Sequence, residues 1–258
     1  MTAAVTYRLY TQNTDRMLES VAKKPSVSRE TEYYLSKIED VKSLDDFMAD
    51  SRLVDYALEA YGLGDMSYAK AFFRKLLDEG IDDRSSLANQ LTDQRYHDFA
   101  SDFNFNRYGE STTTFERTRS GTVDKYYQQQ VEVAAGDDNE GARLAIYFAR
   151  KAADIDSPYD ILADQALMKV VYTAFAIPDG TTSQDIEKQA ALISDKLDIE
   201  NLSDPEELDT FLQRFVTMWD IENPDTIAAP TIAPLISSSV QSLSTDLLTA
   251  IQTIKSGR

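Results

Sequence analysis

The chain has no cysteine, and among its 258 residues one histidine and one tryptophan. Without cysteine there is no disulfide, no thiolate metal site and no sulfur nucleophile. The lone histidine, His97, excludes histidine-cluster zinc and iron centres, and no motif around it suits a Ser-His-Asp or Cys-His arrangement. It lies in RYHDF on a predicted helix and reads as a structural or solvent-facing residue. Nine glycines and seven prolines are few for this length. That disfavours a turn-rich sandwich or barrel, and no glycine-rich phosphate loop occurs.

Basic charge is also scarce: 26 lysines and arginines stand against 44 acids, a net charge of −18. A field of that sign repels phosphate backbones and anionic head groups, so neither nucleic acid nor a membrane surface is an expected partner. The longest uncharged run, Thr226 to Thr245, is broken by Pro230, Pro234 and a serine cluster, which excludes a membrane span. The first residues lack the basic-then-apolar layout of a secretory signal, so a cytoplasmic location is expected.

Acids are abundant, yet none falls in a cation-binding pattern. Asp137-Asp-Asn139-Glu-Gly141 has the ingredients of a calcium loop, but its glycine comes one position early and its twelfth position is Phe148. The pairs Asp46/Asp50 and Asp160/Asp164 put carboxylates four residues apart without further ligands beside them. Each sits where a helix cap is expected, so no metal or other cofactor is assigned. A carboxylate pair for glycosidic chemistry would need an aromatic-lined cleft, and most aromatics here recur at core spacing.

What the sequence does contain is a repeat. Tyr33 to Gly64 (YYLSKIEDVKSLDDFMADSRLVDYALEAYGLG) aligns without a gap, at an offset of 114, with Tyr147 to Pro178 (YFARKAADIDSPYDILADQALMKVVYTAFAIP). Nine of 32 positions are identical, where chance at typical residue frequencies gives about two. Ser43-Leu-Asp-Asp46 and Ser157-Pro-Tyr-Asp160 are capping-box patterns, and Pro158 suits a first helical position. Asp50 and Asp164 then cap a second predicted helix in each copy, with Gly64 and Pro178-Asp-Gly180 as stops. Downstream, Leu91 to Phe103 resembles Leu202 to Phe215 with one insertion, pairing Asp93 with Asp204, Phe99 with Phe211 and Phe103 with Phe215.

These patterns predict an all-α fold of two similar helical subdomains from an internal duplication, plus a C-terminal amphipathic helix. Residues 1–103 form the first unit, 104–121 a Thr/Asn/Gly-rich linker and 122–220 the second unit. Residues 221–258 hold a Pro/Ser-rich stretch and the final helix. There Ile236, Val240, Leu243, Leu247, Ile251 and Ile254 recur at intervals of three and four, opposite Ser, Thr, Gln and one Asp. That stripe suits either a protein partner or a fold back onto its own chain.

At RETEYYLSKIEDVKSLDDFMADSRLVDYALEAYGLGD, YAKAFFRKLL and LTDQRYHDFASDFNF the chain resembles a bacterial family catalogued as domain of unknown function 1217. GARLAIYFARKA, YDILAD and DPEELDTFLQRF resemble that family's second half, so the likeness runs from about Tyr7 to Asp220. Its members occur mainly in alphaproteobacteria, often encoded beside basal-body and motor genes in flagellar clusters. The resemblance implies a non-enzymatic, flagellum-associated assembly or accessory protein that works through protein–protein contacts. It carries no catalytic residues. The alternative is a small-molecule-binding or regulatory helical module with an apolar pocket between the repeats.

Overall fold

Side-chain caps start most of the helices, among them Ser43, Asp50 and Asp164, which the sequence marks. In a computed structural model, which describes residues 1–224, the chain is all-α, with no strand among the described residues. The order is α1 (Ala3–Thr11), α2 (Thr14–Ala22), α3 (Pro25–Ile38), α4 (Leu44–Ala49), α5 (Ser51–Ala60), α6 (Lys70–Glu79), α7 (Leu87–Gln90) and α8 (Gln94–Asp102). Then follow α9 (Phe105–Tyr108), α10 (Ser120–Asp138), α11 (Glu140–Lys151), α12 (Pro158–Ala163), α13 (Gln165–Ala174), α14 (Ile186–Lys196) and α15 (Pro205–Glu222), with short 3-10 turns between.

The 114-residue offset holds at the level of local structure. α12 and α13 begin and end 114 residues after α4 and α5. Asp50 Oδ1 accepts the N–H groups of Arg52 and Leu53, and Asp164 Oδ1 those of Ala166 and Leu167. The second oxygen of each takes a tyrosine hydroxyl from the preceding long helix: Tyr33 to Asp50 at 2.6 Å, Tyr147 to Asp164 at 2.5 Å. Both second helices close on a left-handed residue, Gly62 in one and Ala176 in the other. The following N–H then reaches back five residues, Leu63 to Leu58 and Ile177 to Tyr172, each at 2.8 Å. That bond satisfies a carbonyl the helix end leaves open. These closures come two residues before the stops expected at Gly64 and Pro178.

Two apolar cores result. The first buries Tyr34, Ile38, Phe47, Leu53, Leu58, Phe73, Phe99 and Phe103; Phe47 and Phe99 each lie about 5 Å from Phe103, ring to ring. The second buries Phe148, Ile161, Val170, Val171, Ile193, Leu212 and Phe215. Helix α10 joins them. At 1.5 Å per residue its 19 residues span about 28 Å. Val123 and Tyr126 at one end enter the first core, while Val131 and Ala135 form a small cluster with Tyr10 and Val21. It packs against α5, α2 and α11.

Two segments sit differently from their place in the sequence. Helix α1 precedes the first repeat, yet Ala3 and Tyr7 belong to the second core, and α1 packs on α11 and α15. Asp220, in the last turn of α15, accepts the N–H groups of Ala3 (2.7 Å) and Ala4 (3.2 Å), capping α1 from outside. The 104–121 stretch is α9 and two 3-10 turns rather than a plain surface loop, with Phe105, Thr112, Thr113 and Thr118 buried. Hydroxyls make that burial possible, because buried carbonyls require donors. Thr113 Oγ1 donates to Val41 O (2.8 Å), Thr118 Oγ1 to Thr112 O (2.8 Å) and Tyr34 OH to Thr118 O (2.5 Å).

Candidate functional site

Where the two cores face each other, the seam is polar. A cleft of ≈ 770 Å³ opens there, lined from the first half by Tyr61, α8 and Lys125, and from the second by Tyr147, Arg150, Lys151 and Asp154. The first wall is a three-membered network. Tyr61 OH donates to Asp102 Oδ2 (2.5 Å), and Lys125 Nζ donates to the same oxygen (2.5 Å) and to the Tyr61 hydroxyl oxygen (3.0 Å). The ammonium also lies 4.3 Å from the centre of the Tyr61 ring. Burial, then the Asp102 charge, raises the Tyr61 pKa far above the ordinary phenol value, so it stays a donor.

On the opposite wall Arg150 forms a two-pronged pair with Glu132, at 2.5 and 3.1 Å. Glu132 is 2 % exposed, and a carboxylate at that depth is tolerated only with a charged partner. Lys151 bridges Asp98 (3.1 Å) and Asp154 (3.3 Å), and the first of these bonds crosses the seam from α11 to α8.

Arg95 of α8 sits at the centre. Its guanidinium grips Asp93 through Nη2 (2.7 Å) and Nε (3.0 Å) and donates from Nη1 to the carbonyl of Gly62 (2.6 Å). The Asp93 bonds, against an opposing effect of burial, hold its pKa above the usual arginine value. Arg95 and Tyr147 also line a second cleft of ≈ 810 Å³, on whose rim stand Glu140, Arg143, Lys169 and Trp219. Each of the four cations in the first cleft is thus engaged by a carboxylate of the same chain. Of these pairings Lys151–Asp98 crosses the seam, and the cleft offers charged walls to any ligand.

The residues singled out from sequence fall elsewhere or play other parts. Asp46 and Asp160 accept the N–H groups of Lys42 and of Asp156 and Ser157; Asp50 and Asp164 are caps, as described above. Asp138 ends α10 and Asn139 caps α11, accepting from Gly141 and Ala142. Among the described residues no group of acids and histidine is placed to hold a metal ion, and no helix is long and apolar enough to cross a membrane. His97 lines the first cleft from α8. Ile236, Val240, Leu243, Leu247, Ile251 and Ile254 lie outside the described residues. Sequence reasoning did not find Arg95, Lys125, Arg150 or Lys151. The available signal was local, an acid two or three residues from the cation in DQR and KAAD, and it cannot show that these pairs meet across one seam.

The chain can be compared with known proteins on this footing. A solved crystal structure, that of protein AGR_C_984 from Agrobacterium tumefaciens, is similar to it at 48% sequence identity and a TM-score of 0.79. The likeness covers 87% of this chain and 97% of that one. No curated protein matches. The family model described as "Protein of unknown function (DUF1217)" matches residues 60–208, which takes in α6 to α14, the seam and the start of α15. The chain belongs to the DUF1217 family.

Proposed function

We propose that the protein is a non-enzymatic assembly or accessory protein of the bacterial flagellum, acting through protein–protein contacts. Its resemblance to proteins encoded in flagellar clusters supplies the setting. The observation that carries the mode of action is the seam: its cations are tied to carboxylates of the same chain, so its charges serve cohesion. Contact with a partner then falls to apolar groups outside the cores, above all the stripe Ile236, Val240, Leu243, Leu247, Ile251 and Ile254. Two similar helical units, read as an internal duplication, form the rigid body that carries it.

Two measurements test this reading. A strain lacking the gene should swim poorly or assemble flagella abnormally, and normal swimming with normal filaments would remove the flagellar assignment. In the full chain, Leu243→Glu with Leu247→Glu should abolish capture of the flagellar partner while the circular dichroism is kept. Retained capture would remove the stripe from the contact.

A second reading is favoured by the first cleft, whose ≈ 770 Å³ falls in the size range of small-molecule sites. Its walls are charged rather than apolar, so the ligand of this reading is a polar metabolite with several hydrogen-bonding groups. A reproducible rise in melting temperature with one such compound, lost in Lys125→Met, would favour it over the first.

A further inference from the structure

The two clefts of the seam share a floor. Consecutive residues of α10, Gln128 and Gln129, line the ≈ 770 Å³ and the ≈ 810 Å³ cleft respectively. Arg95 of α8 and Tyr147 of α11 line both. The space along α10 is therefore divided only where α8 meets α11. Beneath that contact, Gln128, Gln129 and Gln130 lie between Tyr126 of the first core and Val131 of the small cluster, and none of the three is fully buried.

The dividing contact differs in kind from the packing below it. Helix α10 packs on α5 and on α11, whereas no residue of α3–α9 shares a buried apolar cluster with α11–α15. A void of ≈ 40 Å³ remains between Asp93 and Arg95 on one side and Ile155, Asp164 and Leu167 on the other. Among the described residues one ion pair joins α3–α9 to α11–α15, Lys151 to Asp98 at 3.1 Å. The lysine side chain is 15 % exposed and the aspartate 44 %, so water reaches the carboxylate and dissolved ions screen the pair. Lys151 also holds Asp154 (3.3 Å) within its own half. Parting α8 from α11 thus breaks no shared apolar cluster and leaves the lysine a carboxylate partner.

We propose that the α8–α11 contact is a clasp: release of Lys151 from Asp98 lets the two halves swing about the glutamine stretch of α10 and joins the two clefts into one groove. While the clasp is shut, the two units move as a single rigid body. Once it opens, the α10 floor admits a larger ligand than either cleft holds alone. The clasp needs neither a flagellar partner nor a metabolite, so it stands apart from both readings of the function.

Because the chain has no cysteine, spin labels can be introduced cleanly. Tyr68→Cys in the first half and Ile186→Cys in the second replace exposed side chains of the full chain, and double electron–electron resonance reads the distance between the labels. In about 0.1 M salt, where charges are screened over about 10 Å, one distance should dominate. In about 1 M salt, where screening acts within about 3 Å, a second population should grow at least threefold. Lys151→Met, which keeps the aliphatic stem, and Asp98→Asn should each raise that same population at least threefold at the lower salt, with the circular dichroism unchanged. Asp154→Asn removes only the bond inside the second half and should leave the distances as they were. Distances that ignore salt, or that ignore both clasp substitutions, would overturn the proposal. An equal response to Asp154→Asn would overturn it too, because the effect would then belong to the charge of the second half. The salt titration needs no change at the clasp, so a misfolded variant cannot mask the outcome.

Discussion

Ala176 holds a φ of +51°, and among the described residues no other non-glycine residue has a positive φ. Its counterpart, Gly62, has φ +70°. A Cβ in this region crowds the following carbonyl and costs about 1–2 kcal/mol, which glycine avoids. Ala176 is exposed, so replacing it removes little packing. Ala176→Gly should therefore stabilise the protein by about 1 kcal/mol in urea denaturation, and Gly62→Ala should destabilise it by a similar amount. Gly141 is constrained by space instead. A Cβ there would lie 2.6 Å from Trp219 Cγ and 2.7 Å from Nε1, well inside van der Waals contact. Gly141→Ala must displace the indole, which predicts a loss of about 1–3 kcal/mol. As Trp219 is the only tryptophan, the displacement should appear directly as a red shift of intrinsic fluorescence.

At the scale of the element, Asp164 does two tasks at once. One oxygen caps α13 and the other receives Tyr147 OH, the phenol that stands between the two clefts. Asp164→Ala should cost about 2–3 kcal/mol, a lost cap plus a half-satisfied buried hydroxyl, measured as a shift in the urea midpoint. Asp164→Asn keeps one acceptor oxygen for the cap but sets an NH2 donor against Tyr147 OH, so it should cost less than alanine; an equal loss would mean that the bond to Tyr147, rather than the cap, holds the joint. Caps of this kind are legible in sequence because acceptor and N–H lie two or three residues apart. Helix α1 was not legible for the opposite reason. Its cap comes partly from Asp220, 217 positions away, and its apolar residues lie on both faces. Ala3, Tyr7 and Tyr10 point inward while Val5 and Leu9 point outward, which blurs the helical period.

The whole molecule is two cores held by one long helix and a seam rich in tyrosine–carboxylate and cation–carboxylate bonds. Burial, aided by Asp138, pushes the Tyr10 pKa up to about 12. Burial, with Asp102 and Asp164 respectively, raises Tyr61 and Tyr147 further, and Tyr34 and Tyr56 are raised chiefly by burial. A phenol whose folded pKa lies above its unfolded value of about 10 contributes stability that is whole below pH 10 and lost as pH rises through the folded value. Melting temperature should thus hold steady up to about pH 10 and fall steeply above it. Tyrosinate absorbance near 295 nm should rise together with loss of helical dichroism. Ionisation of most tyrosines before any dichroism change would contradict this account.

Helix class, the caps at Ser43, Asp50 and Asp164, and the 114-residue correspondence were all present in the sequence. Each rests on interactions that close within about one helical turn, or on a pattern that can be read against itself. The tertiary structure alone decided that α1 packs on the second core, that the threonine-rich connection is partly buried, and that Arg95, Lys125, Arg150 and Lys151 gather at one seam. These depend on pairings between residues 15 to more than 200 positions apart. No local propensity encodes such a pairing, because its free energy arises only once both cores have formed and brought the partners out of water together.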